Sequence, residues 1–145
     1  VLVALQFGLL GLLLALPPGD LPWLSNGWSW LARSCALLAV LMAASAYLAL
    51  RPAFRVRPEP KPDAPFIEQG IYRRIRHPMY TAVMFIAASM VIHVRAWTAV
   101  LVWCALAVVL TLKSRYEDAL WREREPRAAE YQRRVGRFIP RWRRA

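Results

Sequence analysis

Two short clusters in this 145-residue chain combine side chains that can do chemistry. One is Arg76-His77-Pro78-Met79-Tyr80, set directly before a long, almost uncharged stretch. The other is Glu117-Asp118, just past the end of that stretch, with Lys113, Arg115 and Tyr116 beside it. A guanidinium fork matches a carboxylate through two parallel hydrogen bonds, and a carboxylate matches an ammonium. An imidazole and a phenol add hydrogen-bonding tips on apolar bodies. His77 and Tyr80 are three apart, so they neighbour each other if a helix begins at Pro78, where proline suits the first turn. Held at a membrane–water boundary, such groups can face a charged cofactor from the water and a substrate from the lipid.

Other chemistries find no support. Zinc sites need three or four convergent ligands. Here there are two histidines, His77 and His93, expected at opposite membrane faces, and two cysteines, Cys35 and Cys104, with no partner at ligand spacing. No metal is therefore expected. There is no Gly-rich phosphate loop, Walker lysine motif or nucleophile elbow. Both cysteines sit in apolar runs, where a free thiol acts as a small hydrophobe, and no disulfide framework is visible. Singly, the candidate residues have ordinary roles: solvated ion pairs for Glu117 and Asp118, lipid anchoring for Arg73, Arg74 and Arg76, helix capping for His77 and an interfacial anchor for Tyr80. Their order and spacing carry the functional reading.

The elements that must position them are apolar. The chain is 58% hydrophobic yet has a net charge of +11. The charge is segregated: residues 78–112 contain one charged residue, Arg95, and residues 34–50 contain none. That pattern belongs to an all-α membrane protein. Four apolar segments stand out, at about 1–16, 28–50, 79–92 and 97–112. The first ends at the turn signal Pro17-Pro18-Gly19-Asp20. It lacks the basic flank and cleavage site of a signal peptide, so it is expected to be a spanning helix that begins upstream of Val1. Trp23, Trp28 and Trp30 form an interfacial belt before the second. Residues 78–112 as one helix would measure about 52 Å, against a hydrocarbon core of roughly 30 Å, so a hairpin turning at 93–96 is expected.

Orientation follows from the basic residues. The connector, 51–77, holds seven and the tail, 113–145, holds eleven, together eighteen of the twenty Lys and Arg. Both regions are expected in the cytoplasm, with four spans between them and the 17–27 loop outside. The expected organisation is one domain: two N-terminal spans (1–50), a Pro- and Arg-rich connector (51–77), and a hairpin with a helical cytoplasmic tail (78–145). The tail, 114–135, reads as a helix on the membrane surface or under the bundle, broken or restarted at Pro126. The hairpin would bring the two clusters together.

Four motifs now stand in order: Gly70-Ile71-Tyr72, Arg76-His77-Pro78-Met79-Tyr80, Glu117-Asp118 with Leu120, and Tyr131 followed by Val135-Gly136-Arg137-Phe138-Ile139-Pro140. Over residues 66–142 this resembles the integral-membrane methyltransferases of the isoprenylcysteine carboxyl methyltransferase and phospholipid methyltransferase type. The sequence departs from that pattern in places. Ile71 stands where the family often has Pro, Ala82 where it often has Gly, Asp118 where it usually has Glu, and Arg124-Glu125 where it usually has Phe-Gly. These departures bear on the pocket and substrate more than on the reaction class.

The resemblance implies S-adenosylmethionine as cofactor and a lipophilic, membrane-borne acceptor. Such a transfer requires positioning, desolvation and charge complementarity from the protein. The cofactor-binding set would be Arg76, His77, Tyr80, Glu117 and Asp118, and His77 and Arg137 would be the catalytic pair. Glu117, helped by Asp118, would pair with the cofactor's ammonium, and Arg76 or Arg137 with its carboxylate. A carboxylate acceptor is already nucleophilic; an amine must first lose a proton, with His77 or a carboxylate as base. The residues do not choose between them. Membrane lipid is the other expected partner; nucleic acid is not, since no recognised fold supports it. The Arg- and Ala-rich composition points to a bacterial inner membrane. Two rival readings are an NADPH-dependent membrane reductase of the sterol reductase type, and a non-enzymatic basic protein that binds anionic lipid. The first usually carries Asn where Met79 stands; the second does not account for the order of the motifs.

Overall fold

The computed structural model describes residues 1–19, 21, 26–50 and 66–141. Among these described residues five helices follow in order: α1 (Leu2–Ala15), α2 (Ser29–Leu50), α3 (Pro78–Val94), α4 (Trp97–Arg124) and α5 (Ala128–Arg134). Short 3-10 turns occupy Asn26–Trp28 and Gly70–Arg73. Among the described residues there is no strand, and an isolated parallel bridge joins Ile75 to Gly136. The all-α expectation holds. Most of the connector, Asp20, Trp23 and the last four residues lie outside the described residues.

α2 and α4 are long and apolar enough to cross a membrane, and α1 and α3 are shorter apolar helices. At 1.5 Å per residue, α3 covers about 26 Å and α4 about 42 Å. Large apolar side chains point outward along the bundle: Leu14 on α1, Leu37 and Val40 on α2, Leu101 and Val108 on α4. Water would drive such a surface to aggregate, whereas lipid accepts it, because every helix satisfies its own backbone groups.

α1 lies mainly along α4, and α2 along α3. α2 buries Ala39 and Ala46 and α3 buries Ala82, small side chains of the kind that let two packed helices approach closely. Leu13, Ala87, Val94, Ala99, Leu106 and Leu110 form the apolar core of the bundle. The hairpin turns where expected. Arg95 takes the left-handed conformation that ends α3, and Ala96 caps α4. The Gly19 and Leu21 amides donate to the carbonyls of Val94 and Arg95 at 2.8 and 2.9 Å, so the chain after α1 seals the hairpin tip. A side chain at Gly19 would press on Ala96.

One element differs from expectation. α4 does not stop near Leu112 but runs unbroken to Arg124. Residues 113–124 contain no Gly or Pro and are rich in strong helix formers. Their inward positions, Lys113, Ser114, Glu117 and Asp118, follow the three-and-four spacing of one helical face, so tertiary contacts reward the continuation. Pro126 then breaks the helix and α5 restarts at Ala128.

Candidate active site

The site is built where α3 begins. Pro78 opens the helix, and the carbonyl of His77 accepts from the Tyr80 and Thr81 amides, both at 3.1 Å. The His77 ring makes no capping bond, which leaves it available for other partners. The tail supplies the opposite wall. Residues 136–138 run beside 75–77, with the Arg76 amide donating to Gly136 at 2.8 Å and the His77 amide to Arg137 at 3.0 Å. The Thr81 hydroxyl donates to the Phe138 carbonyl at 2.9 Å. Gly136 is required here because an added Cβ would overlap the Ile139 carbonyl oxygen. Beneath this joint, Phe66 packs on Trp121 and edge-on against Tyr131, with ring centroids 5.1 and 5.3 Å apart. Tyr131 donates its hydroxyl to the Tyr72 carbonyl at 2.7 Å. Burial pushes both phenols up from their ordinary pKa, more than their neighbouring charges do.

About a turn and a half of α4 beyond Leu112 presents the acidic pair to this joint. His77 Nε2 meets Asp118 Oδ1 at 2.9 Å, and His77 Nδ1 lies 3.5 Å from Glu117 Oε2. Tyr80 donates its hydroxyl to Glu117 Oε2 at 2.9 Å. The His77 and Tyr80 rings are stacked, with centroids 5.3 Å apart. Asp118 Oδ2 takes two guanidinium groups, Arg76 and Arg137, each at 3.3 Å. Arg76 also donates to the Gln132 carbonyl at 3.1 Å, and the Gln132 amide donates to the Asp118 carbonyl at 2.7 Å.

The two acids differ in accessibility. The Asp118 side chain is 8% exposed and both its oxygens are occupied by cations; the Glu117 side chain is 26% exposed and its contacts fall on Oε2. Burial alone would lower the His77 pKa. Hydrogen bonds to Asp118 and Glu117 outweigh it and hold the ring above its ordinary value. Burial pulls the Arg76 guanidinium below its ordinary value, with Asp118 opposing the change. The Nε atoms of Arg76 and Arg137 are buried and, among the described residues, have no hydrogen-bond partner. An unmet buried donor is costly, so these two N–H groups fit an anionic group brought from outside the chain.

All six sequence-predicted site residues therefore meet: Arg76, His77, Tyr80, Glu117, Asp118 and Arg137. Arg73, Arg74, Arg115 and Tyr116 do not join them and are exposed. Sequence reasoning missed Thr81, Gln132 and Gln6. Gln6 on α1 is buried and accepts from Lys113 Nζ at 2.9 Å, and that ammonium lies 4.9 Å above the Tyr80 ring. A lone polar residue inside the apolar run of α1 was the signal that could have found it.

A sequence model described as the isoprenylcysteine carboxyl methyltransferase (ICMT) family matches residues 31–120, from α2 to just beyond the acidic pair. No curated protein matches the chain.

Proposed function

The chain belongs to the isoprenylcysteine carboxyl methyltransferase family, and from that premise we propose that it transfers a methyl group from S-adenosylmethionine to a lipophilic carboxylate in the membrane. The observation that carries this reading is the cluster at the mouth of the apolar hairpin, where two carboxylates meet an imidazole and two guanidinium groups. The cofactor supplies an electrophilic methyl on a sulfonium; the protein needs no covalent nucleophile of its own. Glu117, the accessible acid, would hold the ammonium of the cofactor. The unmet Nε groups of Arg76 and Arg137 fit its carboxylate. Tyr80 fixes Glu117 through its hydroxyl, and Asp118 locks His77 and both guanidinium groups in place.

The placement of His77 favours a carboxylate acceptor over an amine. Both its ring nitrogens already face carboxylates, at 2.9 and 3.5 Å, so neither is turned toward an incoming amine, and an amine acceptor needs a base. A carboxylate needs only to be desolvated beside a positive group, which the buried end of the hairpin and Arg137 provide. In this reading the bundle crosses the membrane four times, with the site and both chain ends in the cytoplasm of a bacterial cell, as the charge segregation supports.

The experiment is methyl transfer from labelled S-adenosylmethionine in membranes, offered separately a long-chain lipophilic acid and a long-chain amine. Label released by mild base, as from a methyl ester, is expected with the acid. Base-stable label with the amine would overturn the acceptor, and binding of NADPH in place of S-adenosylmethionine would overturn the reaction.

A further inference from the structure

Gln6 and Lys113 are buried polar side chains that the transfer chemistry does not use, 6% and 2% exposed. They lie on different helices, α1 and α4, which pack along each other. Lys113 Nζ donates to Gln6 Oε1 at 2.9 Å. A lysine near the water end of a helix reaches water easily through its flexible stem. Taking an ammonium out of water is costly, and two apolar side chains would pack the α1–α4 contact at least as well. An ionisable group kept inside a membrane bundle therefore points to function.

The geometry shows what the pair can act on. The Lys113 ammonium lies 4.9 Å from the centroid of the Tyr80 ring, over its face, within the range of a cation–π contact. The same ring is stacked on His77, with the two planes 1° apart. Its hydroxyl donates to Glu117 Oε2 at 2.9 Å. Lys113 and Glu117 share one face of α4, a turn apart, and the Tyr80 ring bridges them. A continuous chain of contacts thus runs from Gln6 through Lys113 and Tyr80 to Glu117. It begins on α1, outside residues 31–120 that the family match covers.

We infer that Gln6 and Lys113 are positioning residues for the methyl donor. Gln6 fixes the ammonium, the ammonium fixes the Tyr80 ring, and the ring's hydroxyl fixes the Glu117 carboxylate. The inference rests on the assignment of Glu117 to the donor's own ammonium. Both residues act through Tyr80, and α1 is then a working part of the site. Charge acting through space would have the opposite sign. A positive group one turn from Glu117 repels a cationic donor, so its loss would tighten binding. Lost positioning weakens binding, and the sign of the change separates the two.

The test compares the full wild-type chain with Lys113→Met and with the double variant Gln6→Leu/Lys113→Met, in detergent. Lys113→Met alone strands a buried amide and should lower the melting temperature. The double variant replaces both partners by apolar side chains of similar size, a change that costs little stability, so its melt should return toward wild type. Its Kd for S-adenosylmethionine, by calorimetry below the onset of melting, should stay about five-fold weaker, the worth of one cation–π contact. In methyl transfer the KM for the donor should rise by the same factor, with the KM for the lipophilic acid unchanged. In a Tyr80→Phe background, which cuts the link to Glu117, the double change should alter donor affinity no further. A double variant that binds the donor as tightly as wild type, or more tightly, would overturn the inference. So would an equal rise in both KM values, or an undiminished further loss in the Tyr80→Phe background. Those failures arise with Glu117 still holding the donor; a wild-type chain that binds no S-adenosylmethionine would instead overturn that assignment, and this inference with it.

Discussion

Replacing Asp118 by asparagine isolates the role of the buried acid. The side chain keeps its size, so no cavity opens. What changes is charge: Oδ1 faces His77 at 2.9 Å, and Oδ2 faces Arg76 and Arg137 at 3.3 Å. The His77, Arg76 and Asp118 side chains are all under 10% exposed, so water cannot replace the lost carboxylate. Removing one partner of a buried ion pair costs about 3–5 kcal/mol, mostly through the cation left behind. With several cations on one acid, Asp118→Asn should fall at the upper end of that range. Glu117→Gln should behave differently. It is more exposed, and a neutral oxygen can still accept from Tyr80, so a loss of about 1 kcal/mol is expected. Denaturant unfolding in detergent, followed by tryptophan fluorescence, gives the two stabilities. Calorimetry with S-adenosylmethionine, under conditions where both variants are folded, gives affinity. Glu117→Gln should lose more than ten-fold in affinity, about 1.4 kcal/mol, while remaining stable. The reasoning is refuted if Asp118→Asn unfolds within about 1 kcal/mol of wild type, or if Glu117→Gln is the less stable of the two.

His77 predicts a pH dependence. Its folded pKa is raised above the ordinary 6.5, so its stabilising effect is complete below that value and lost as pH rises through the folded pKa. Wild-type stability should decline on that alkaline side, and His77→Gln should flatten the decline; an identical slope in the variant would exclude the ring. Gly136→Ala should detach the tail by colliding with the Ile139 carbonyl, seen as rapid amide exchange at Arg76 and His77 with α1–α4 still protected. Protection unchanged at both amides would mean the tail adapts. Gln6→Leu removes a buried partner of Lys113 and should cost about 1–3 kcal/mol in unfolding free energy, with a smaller loss in Gln6→Asn. Equal stability of the leucine variant would show that Lys113 is satisfied elsewhere.

The pairing of His77 with the acidic residues is legible in the sequence. Pro78 marks a helix start, the apolar run is too long for one span, and a hairpin must return the chain to the same side. Those constraints place residues 76–80 beside residues 117–118. The length of α4 was not legible in the same way. Composition after Leu112 changes from apolar to charged, and periodicity alone does not say whether a helix continues or restarts across such a change. Buried partners for Lys113, Ser114 and Asp118 decided that it continues.

By itself, then, the sequence determined the class of molecule, the hairpin and which side chains meet at its mouth. These follow from hydropathy, charge segregation and the rules of helix starts, all of which act along the chain. Only the tertiary structure decided that Asp118 is an anchor shared by His77, Arg76 and Arg137 while Glu117 stays accessible. It alone showed the tail closing over residues 75–77 and Gln6 reaching Lys113. Each of these joins residues far apart in sequence, and no local rule encodes which distant donor will meet a given buried acceptor.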